Sequence, residues 1–233
     1  MAKRNYVEIA LDISQLCEDI EKTIRDFPEK PIPLHFYLLE KNAEALCAVL
    51  EFLERVDSGF EAARLLAERV QDDVMYGLPN SNQSIWTLNE IVKDWKSRRD
   101  GLFRKLSLLE KQEVLRVDEA WHSYQEYGYW SVIVNCAVAM ESRLWRILDS
   151  RNPEVLKKVR GYPKLTFGAL SRAYLDDKGS FGSCIPNKYE GLLVTVNSYR
   201  NISAHAKEEE VLRREADALF NLTLTFLIDE ELR

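Results

Sequence analysis

Val194-Thr195-Val196-Asn197-Ser198-Tyr199-Arg200-Asn201-Ile202-Ser203-Ala204-His205 is an apolar run that ends in an arginine, an asparagine and a histidine. Leu192, Leu193, Val196 and Tyr199 recur at three- and four-residue steps, so they read as the buried stripe of a helix carrying Arg200 at its far end. His205 comes five positions later. At about 100° per residue it sits roughly 140° around an ideal helix from Arg200, so the two meet at one site only under one of two conditions. Either the helix ends or bends between them, or a second subunit supplies the other copy. Glu208, Glu209 and Glu210 read as the acidic first turn of a further helix, where carboxylates favour the positive end of the dipole. That places the histidine near a helix junction, accessible to solvent.

Outward from this run, nearly every segment carries helical periodicity. In the first half, helices are expected over Val7–Phe27, Leu34–Val56 and Phe60–Tyr76. Pro28, Pro31 and Pro33 stop the first, because proline lacks the amide donor and restricts the residue before it. Gly59 and Gly77 follow the other two, and Gly77–Asn82 is a loop dense in turn formers. Thr87-Leu88-Asn89-Glu90 has capping-box spacing and opens a fourth helix, with Asp100-Gly101 as a candidate break. The second half reads as four helices: Val114–Leu148, Thr166–Leu175, Pro186–Ser203 and Glu208–Glu231. The expected fold is all-α: an antiparallel four-helix bundle over residues 111–233, preceded by an N-terminal helical region over residues 1–110.

Composition sets limits on function. With 233 residues and 46% of them hydrophobic, the chain can bury a sizeable core. It has no apolar run of transmembrane length, and its first residues lack the apolar stretch of a signal peptide, so the expectation is a cytoplasmic protein with no membrane association. Cys17, Cys47, Cys136 and Cys184 are far apart and read as buried or incidental thiols. Neither a close Cys/His set nor a Gly-rich phosphate loop is present, so neither a metal nor another cofactor is expected. The net charge of −6 argues against a general nucleic-acid coat protein. The charge is uneven, however: Arg143–Arg172 holds eight basic residues against two acidic ones. Lys157, Lys158, Arg160 and Lys164 in that run are candidate phosphate contacts, with a solvated face as the other reading. Trp121, Tyr124, Tyr127, Tyr129 and Trp130 have the chemistry to stack bases, but at helical spacing they read first as core or interface. His35 and His122 read as structural.

Arg200 and His205 combine a permanent charge bearing five donors with a group that titrates near neutrality. RNA cleavage needs both properties: a base for the 2′-hydroxyl proton and fixed charge for the developing oxyanion. The segment Arg200-Asn201-Ile202-Ser203-Ala204-His205 resembles the motif of the HEPN domain family, in which an arginine, a polar residue directly after it and a histidine follow at this spacing. Tyr129–Trp145, with Glu141 amid small and apolar residues, looks like that family's first core helix. The resemblance covers the C-terminal half only. It implies a metal-independent endoribonuclease, of the kind used as a toxin or in phage defence, acting on RNA as a homodimer whose two motifs converge. His205 would assist proton transfer, Arg200 contact the scissile phosphate, Asn201 orient, and Glu141 support them, paired with Arg200; the other reading of Glu141 is a buried carboxylate paired with Arg143 or Arg200 for structural reasons alone. The alternative is a non-catalytic HEPN-like binding or scaffolding module, in which the N-terminal half docks a protein partner such as an antitoxin.

Overall fold

The structure is a computed structural model that describes residues 13–28, 31, 33–75, 81–154, 167–176, 184–205, 211 and 213–232. Among them the regular structure is helical throughout, with no strand, and the fold is all-α. The chain divides into two compact units, residues 1–106 and 107–233.

The first unit contains α1 (Ile13–Arg25), α2 (Pro33–Val56), α3 (Glu61–Met75) and α4 (Ser81–Leu106). They pack in a closed cycle, α1 on α2, α2 on α3, α3 on α4 and α4 back on α1. Short connections between packed neighbours are the usual device of such bundles. Between α2 and α3 the carboxylate of Asp57 accepts the Gly59 N–H at 3.0 Å, and one turn of 3₁₀ helix, Ser58–Phe60, leads into α3. Phe60 and Trp95, both buried, meet at 6.2 Å between ring centroids.

Two expectations for α4 are corrected by its course. The helix begins at Ser81, so Thr87 is an interior residue and not a cap. Its buried stripe starts with Ser84 and Thr87 before reaching Leu88, Ile91, Val92 and Trp95. Two polar residues thus hide the first turns of an otherwise regular apolar face. Nor does Asp100-Gly101 interrupt it. Both residues lie on the exposed side, where a glycine costs some helix stability without breaking the hydrogen-bond ladder.

The second unit is organised around one helix. α5 (Lys111–Gln125), α6 (Tyr129–Arg151), α7 (Phe167–Asp176), α8 (Glu190–His205) and α9 (Arg213–Leu227) belong to it, and α6 packs against each of the other four. Its inward residues, Val132, Ile133, Cys136, Ala137, Met140, Leu144 and Ile147, recur at three- and four-residue steps and are buried, so the core lies around α6. Trp121 of α5 completes that core. Its ring stacks on Tyr124 at 5.5 Å and lies 5.4 Å from Phe220 of α9. Burying a large apolar side chain contributes roughly 1.5–3 kcal/mol, and such ring pairs add about 0.5–1.5 kcal/mol.

The single helix expected over Val114–Leu148 is two helices. Tyr127 takes φ +61°, the left-handed region. Gly128 N–H then reaches the Ser123 carbonyl at 2.7 Å and Tyr127 N–H the Tyr124 carbonyl at 3.2 Å. This pair of bonds is the Schellman end, which satisfies the last carbonyls and turns the chain. A Cβ on Gly128 would sit 3.3 Å from the Ser123 carbonyl oxygen, so a glycine suits the second position. The left-handed residue, by contrast, is a tyrosine, and an apolar stripe running on both sides of it conceals the break.

α5 also opens in a way that apolar spacing does not announce. Glu110 and Glu113 form a reciprocal capping box, and Glu113, fully buried, receives Arg143 of α6 through Nε at 2.9 Å and Nη2 at 2.8 Å. Arg146 adds two bonds from Nη2 to Glu113 at 3.2 Å each, and both arginines donate to the Leu108 carbonyl. A buried charge is tolerated only when paired and hydrogen-bonded, and this cluster meets that condition.

Candidate functional site

α6, α7 and α8 together position the motif residues. Glu141 projects from the half-exposed flank of α6, and its Oε2 accepts the Phe167 N–H at 2.6 Å. Phe167 is the first residue of α7, so the carboxylate satisfies an amide that the helix itself leaves unpaired. Partial burial pushes the Glu141 carboxyl above its ordinary range, opposed by the Phe167 amide and by the positive charge of Arg200. Arg200 is therefore close enough for its charge to be felt at Glu141. Arg143, the other partner considered for Glu141, is committed to Glu113 instead.

α8 runs without interruption from Glu190 to His205, two residues beyond the expected end at Ser203. No bend separates Arg200 from His205, so the angular offset of roughly 140° stands. Arg200 shares its register with the buried Leu193 and Val196, on the side of the helix turned to the core. The register position of His205 is that of Val194, Ser198 and Asn201, all exposed. Its side chain lies outside the described residues, as do Glu208, Glu209 and Glu210. Asn197, one turn before Arg200, has a buried side-chain oxygen with no hydrogen-bond partner among the described residues. Burial raises the pKa of Tyr199, and the charge of Glu215 on α9, to which its hydroxyl donates, raises it further.

The basic run divides. Lys157, Lys158, Arg160 and Lys164 lie outside the described residues, as does the side chain of Arg172. Arg143 and Arg146 serve the buried Glu113 cluster, and Arg151 donates to the carbonyls of Cys184 at 3.2 Å and Glu231 at 2.7 Å. Three of the eight basic residues thus fasten the unit together. Their spacing on α6 held the signal: Arg143 occupies a position in the stripe of Cys136, Met140 and Ile147, where an arginine must bring a buried acid with it.

Of the aromatic set, Trp121 and Tyr124 are core, whereas Tyr127 is 74% exposed. His35 packs edge-on to Phe27 at 5.9 Å, and His122 lies 3.7 Å from Asp118 one turn back on α5. Among the described residues no three His, Cys, Asp or Glu side chains gather as a metal site would require. The four cysteines are free, and burial pushes the thiols of Cys17, Cys47 and Cys136 up to about 12. No described helix is long and apolar enough to cross a membrane.

Sequence reasoning passed over a shallow pocket of about 200 Å³ between α5 and α6, lined by Gln112, Arg116, Val138, Glu141, Ser142 and Trp145. The spacing 138, 141, 142 and 145 is one more helical face of α6, but only its mixed chemistry distinguishes it from a solvated stripe. Comparison with known proteins adds no relative: no protein family, no curated protein and no solved structure matches the chain.

Proposed function

We propose that the second unit is a HEPN-like endoribonuclease domain that cleaves RNA without a metal ion, working as a homodimer, of the kind deployed as a toxin or phage-defence effector. The observation that supports this reading is that Arg200, on the core side of α8, acts electrostatically on Glu141 of the central helix α6, the two residues that the resemblance would pair. Glu141, held by the Phe167 amide, supplies a fixed negative charge that attracts the Arg200 guanidinium, a group suited to a phosphate oxygen. Asn201, next to it and exposed, orients the substrate. His205 takes the ribose 2′-hydroxyl proton. That oxygen attacks the adjacent phosphorus, the 5′-oxygen leaves with a proton, and the product ends in a 2′,3′-cyclic phosphate.

On one straight helix Arg200 and His205 diverge, so each site takes its arginine from one copy and its histidine from the other. Exposed Val134 on α6 and exposed Val194 on α8 are apolar surface available to a second copy. Lys157, Lys158, Arg160 and Lys164 are assigned to the RNA backbone, on charge alone. Divergence of the motif residues equally favours a binding module that does not cleave.

The test is cleavage of RNA in excess EDTA. Arg200→Ala and His205→Ala should each lower the rate by roughly 10²- to 10⁴-fold, and a 2′-O-methyl RNA should resist. Mixing the two inactive variants should restore activity, because half of the mixed dimers' sites regain both groups. No cleavage by the wild type, or equal cleavage of the methylated RNA, refutes the ribonuclease reading. No rescue in the mixture refutes the shared site.

A further inference from the structure

The pocket between α5 and α6 combines four features that act on a single flat guest. Glu141 lines it with a carboxylate whose Oε2 is held by Phe167 N–H at 2.6 Å, while its Oε1 accepts no hydrogen bond among the described residues. Arg116 is anchored through Nη1 to Glu119 at 2.6 Å and Asn135 at 3.3 Å, yet its Nε is buried and has no partner among the described residues. Trp145 is half-exposed, and among the described residues no other ring packs against it. Gln112 and Ser142 add polar groups that both donate and accept.

We infer that this pocket is a guanine-binding subsite, with Trp145 as the stacking wall and Glu141 as the reader of the base edge. Unpaired bases are recognised by stacking on aromatic side chains and by hydrogen bonds along their edges. A carboxylate accepts two adjacent donors, and guanine alone among the four RNA bases presents them, as N1–H beside the N2 amino group. Adenine offers an acceptor at N1, uracil a single N–H between two carbonyls, and cytosine an amino group beside an acceptor. Guanine also carries O6 and N7 acceptors for the Arg116 guanidinium or the Gln112 amide. A volume of about 200 Å³ suits one base and not an extended ligand. The inference rests on the ribonuclease reading for the presence of RNA at this face. Glu141 lines the pocket and also feels the charge of Arg200, the arginine assigned to the scissile phosphate, which links the subsite to the proposed site.

Calorimetric titration of the full chain with GMP, AMP, CMP and UMP tests the subsite without requiring catalysis. All four carry the same phosphate, so any preference belongs to the base. GMP should bind at least about tenfold more tightly than the others, within the discrimination a bidentate contact gives. Glu141→Gln should abolish that preference, Trp145→Ala should abolish binding, and Trp145→Phe should retain it, with circular dichroism confirming that each variant folds. Equal affinity for the four nucleotides, or a GMP preference that survives Glu141→Gln and Trp145→Ala, overturns the subsite. RNA cleavage is measured in parallel. Cleavage with no guanine preference in binding removes the subsite and leaves the ribonuclease reading intact, whereas GMP preference without cleavage removes the latter and sustains the subsite.

Discussion

Replacing Glu113 by alanine should destabilise the second unit more than any single change at its candidate site. Glu113 is fully buried and accepts Arg143 Nε at 2.9 Å, Arg143 Nη2 at 2.8 Å, Arg146 Nη2 at 3.2 Å and the Glu110 amide at 2.9 Å. Alanine removes every one of these acceptors. It strands Arg143, also fully buried, with the Leu108 carbonyl as its remaining acceptor and with an Nη1 that already lacks a partner among the described residues. Removing one member of a buried pair costs about 3–5 kcal/mol, a large share of the roughly 5–15 kcal/mol that holds a domain folded. The Coulomb attraction itself is the wrong quantity to count, because both ions were desolvated to make it. What the variant exposes is the unpaired charge.

The measurement is urea unfolding of the full chain, followed by far-ultraviolet circular dichroism and fitted with a separate transition for each unit. Glu113→Ala should lower the second unit's midpoint sharply. Glu113→Leu combined with Arg143→Met should cost much less than either single change, because an apolar pair of similar volume leaves no stranded ion. A loss below about 1 kcal/mol for Glu113→Ala, or a double variant costing the sum of the singles, would refute this account. So would Arg143→Met weakening RNA binding with no loss of stability, which would return Arg143 to the basic surface.

Three smaller predictions concern local conformation and charge. Gly101→Ala should stabilise the first unit by about 0.5–1 kcal/mol, read in the same urea series, because an added Cβ meets nothing within 4 Å on the exposed side of α4. Tyr127→Gly should raise the second unit's thermal midpoint by a gain of about 1 kcal/mol, since glycine adopts the left-handed φ of +61° without the Cβ clash; a fall would show that the Tyr127–Tyr129 ring contact outweighs the backbone strain. For Glu141 the raised pKa fixes the sign of a pH effect. Between the ordinary glutamate value of about 4.3 and the raised value, the folded state holds the proton more tightly than the unfolded one. Stability from this group is full below that window and is lost as pH rises through it. Glu141→Gln should remove that loss, so a pH series in which wild type and variant fall in parallel would contradict the environment described for Glu141.

The helical character of the chain was legible because apolar periodicity is a local property, although the same periodicity ran α5 and α6 together as one helix. What escaped the reading depends on partners distant in sequence or on backbone geometry. Glu113 and Arg143 are 30 residues apart, and each alone resembles an ordinary surface charge. The turn at Tyr127 is set by a left-handed residue that is not a glycine, and an apolar pattern carries no sign of φ. For the motif, one geometric fact follows from residue spacing alone: five residues on an unbroken helix cannot bring Arg200 and His205 to one point. A bend would have reconciled them within one chain. α8 has none as far as His205. Arg200 falls in register with the buried Leu193 and Val196, while His205 falls in register with the exposed Val194, Ser198 and Asn201. One chain alone therefore presents the two motif positions on different sides of α8, and the proposed cleavage brings both groups to one point only through a second chain.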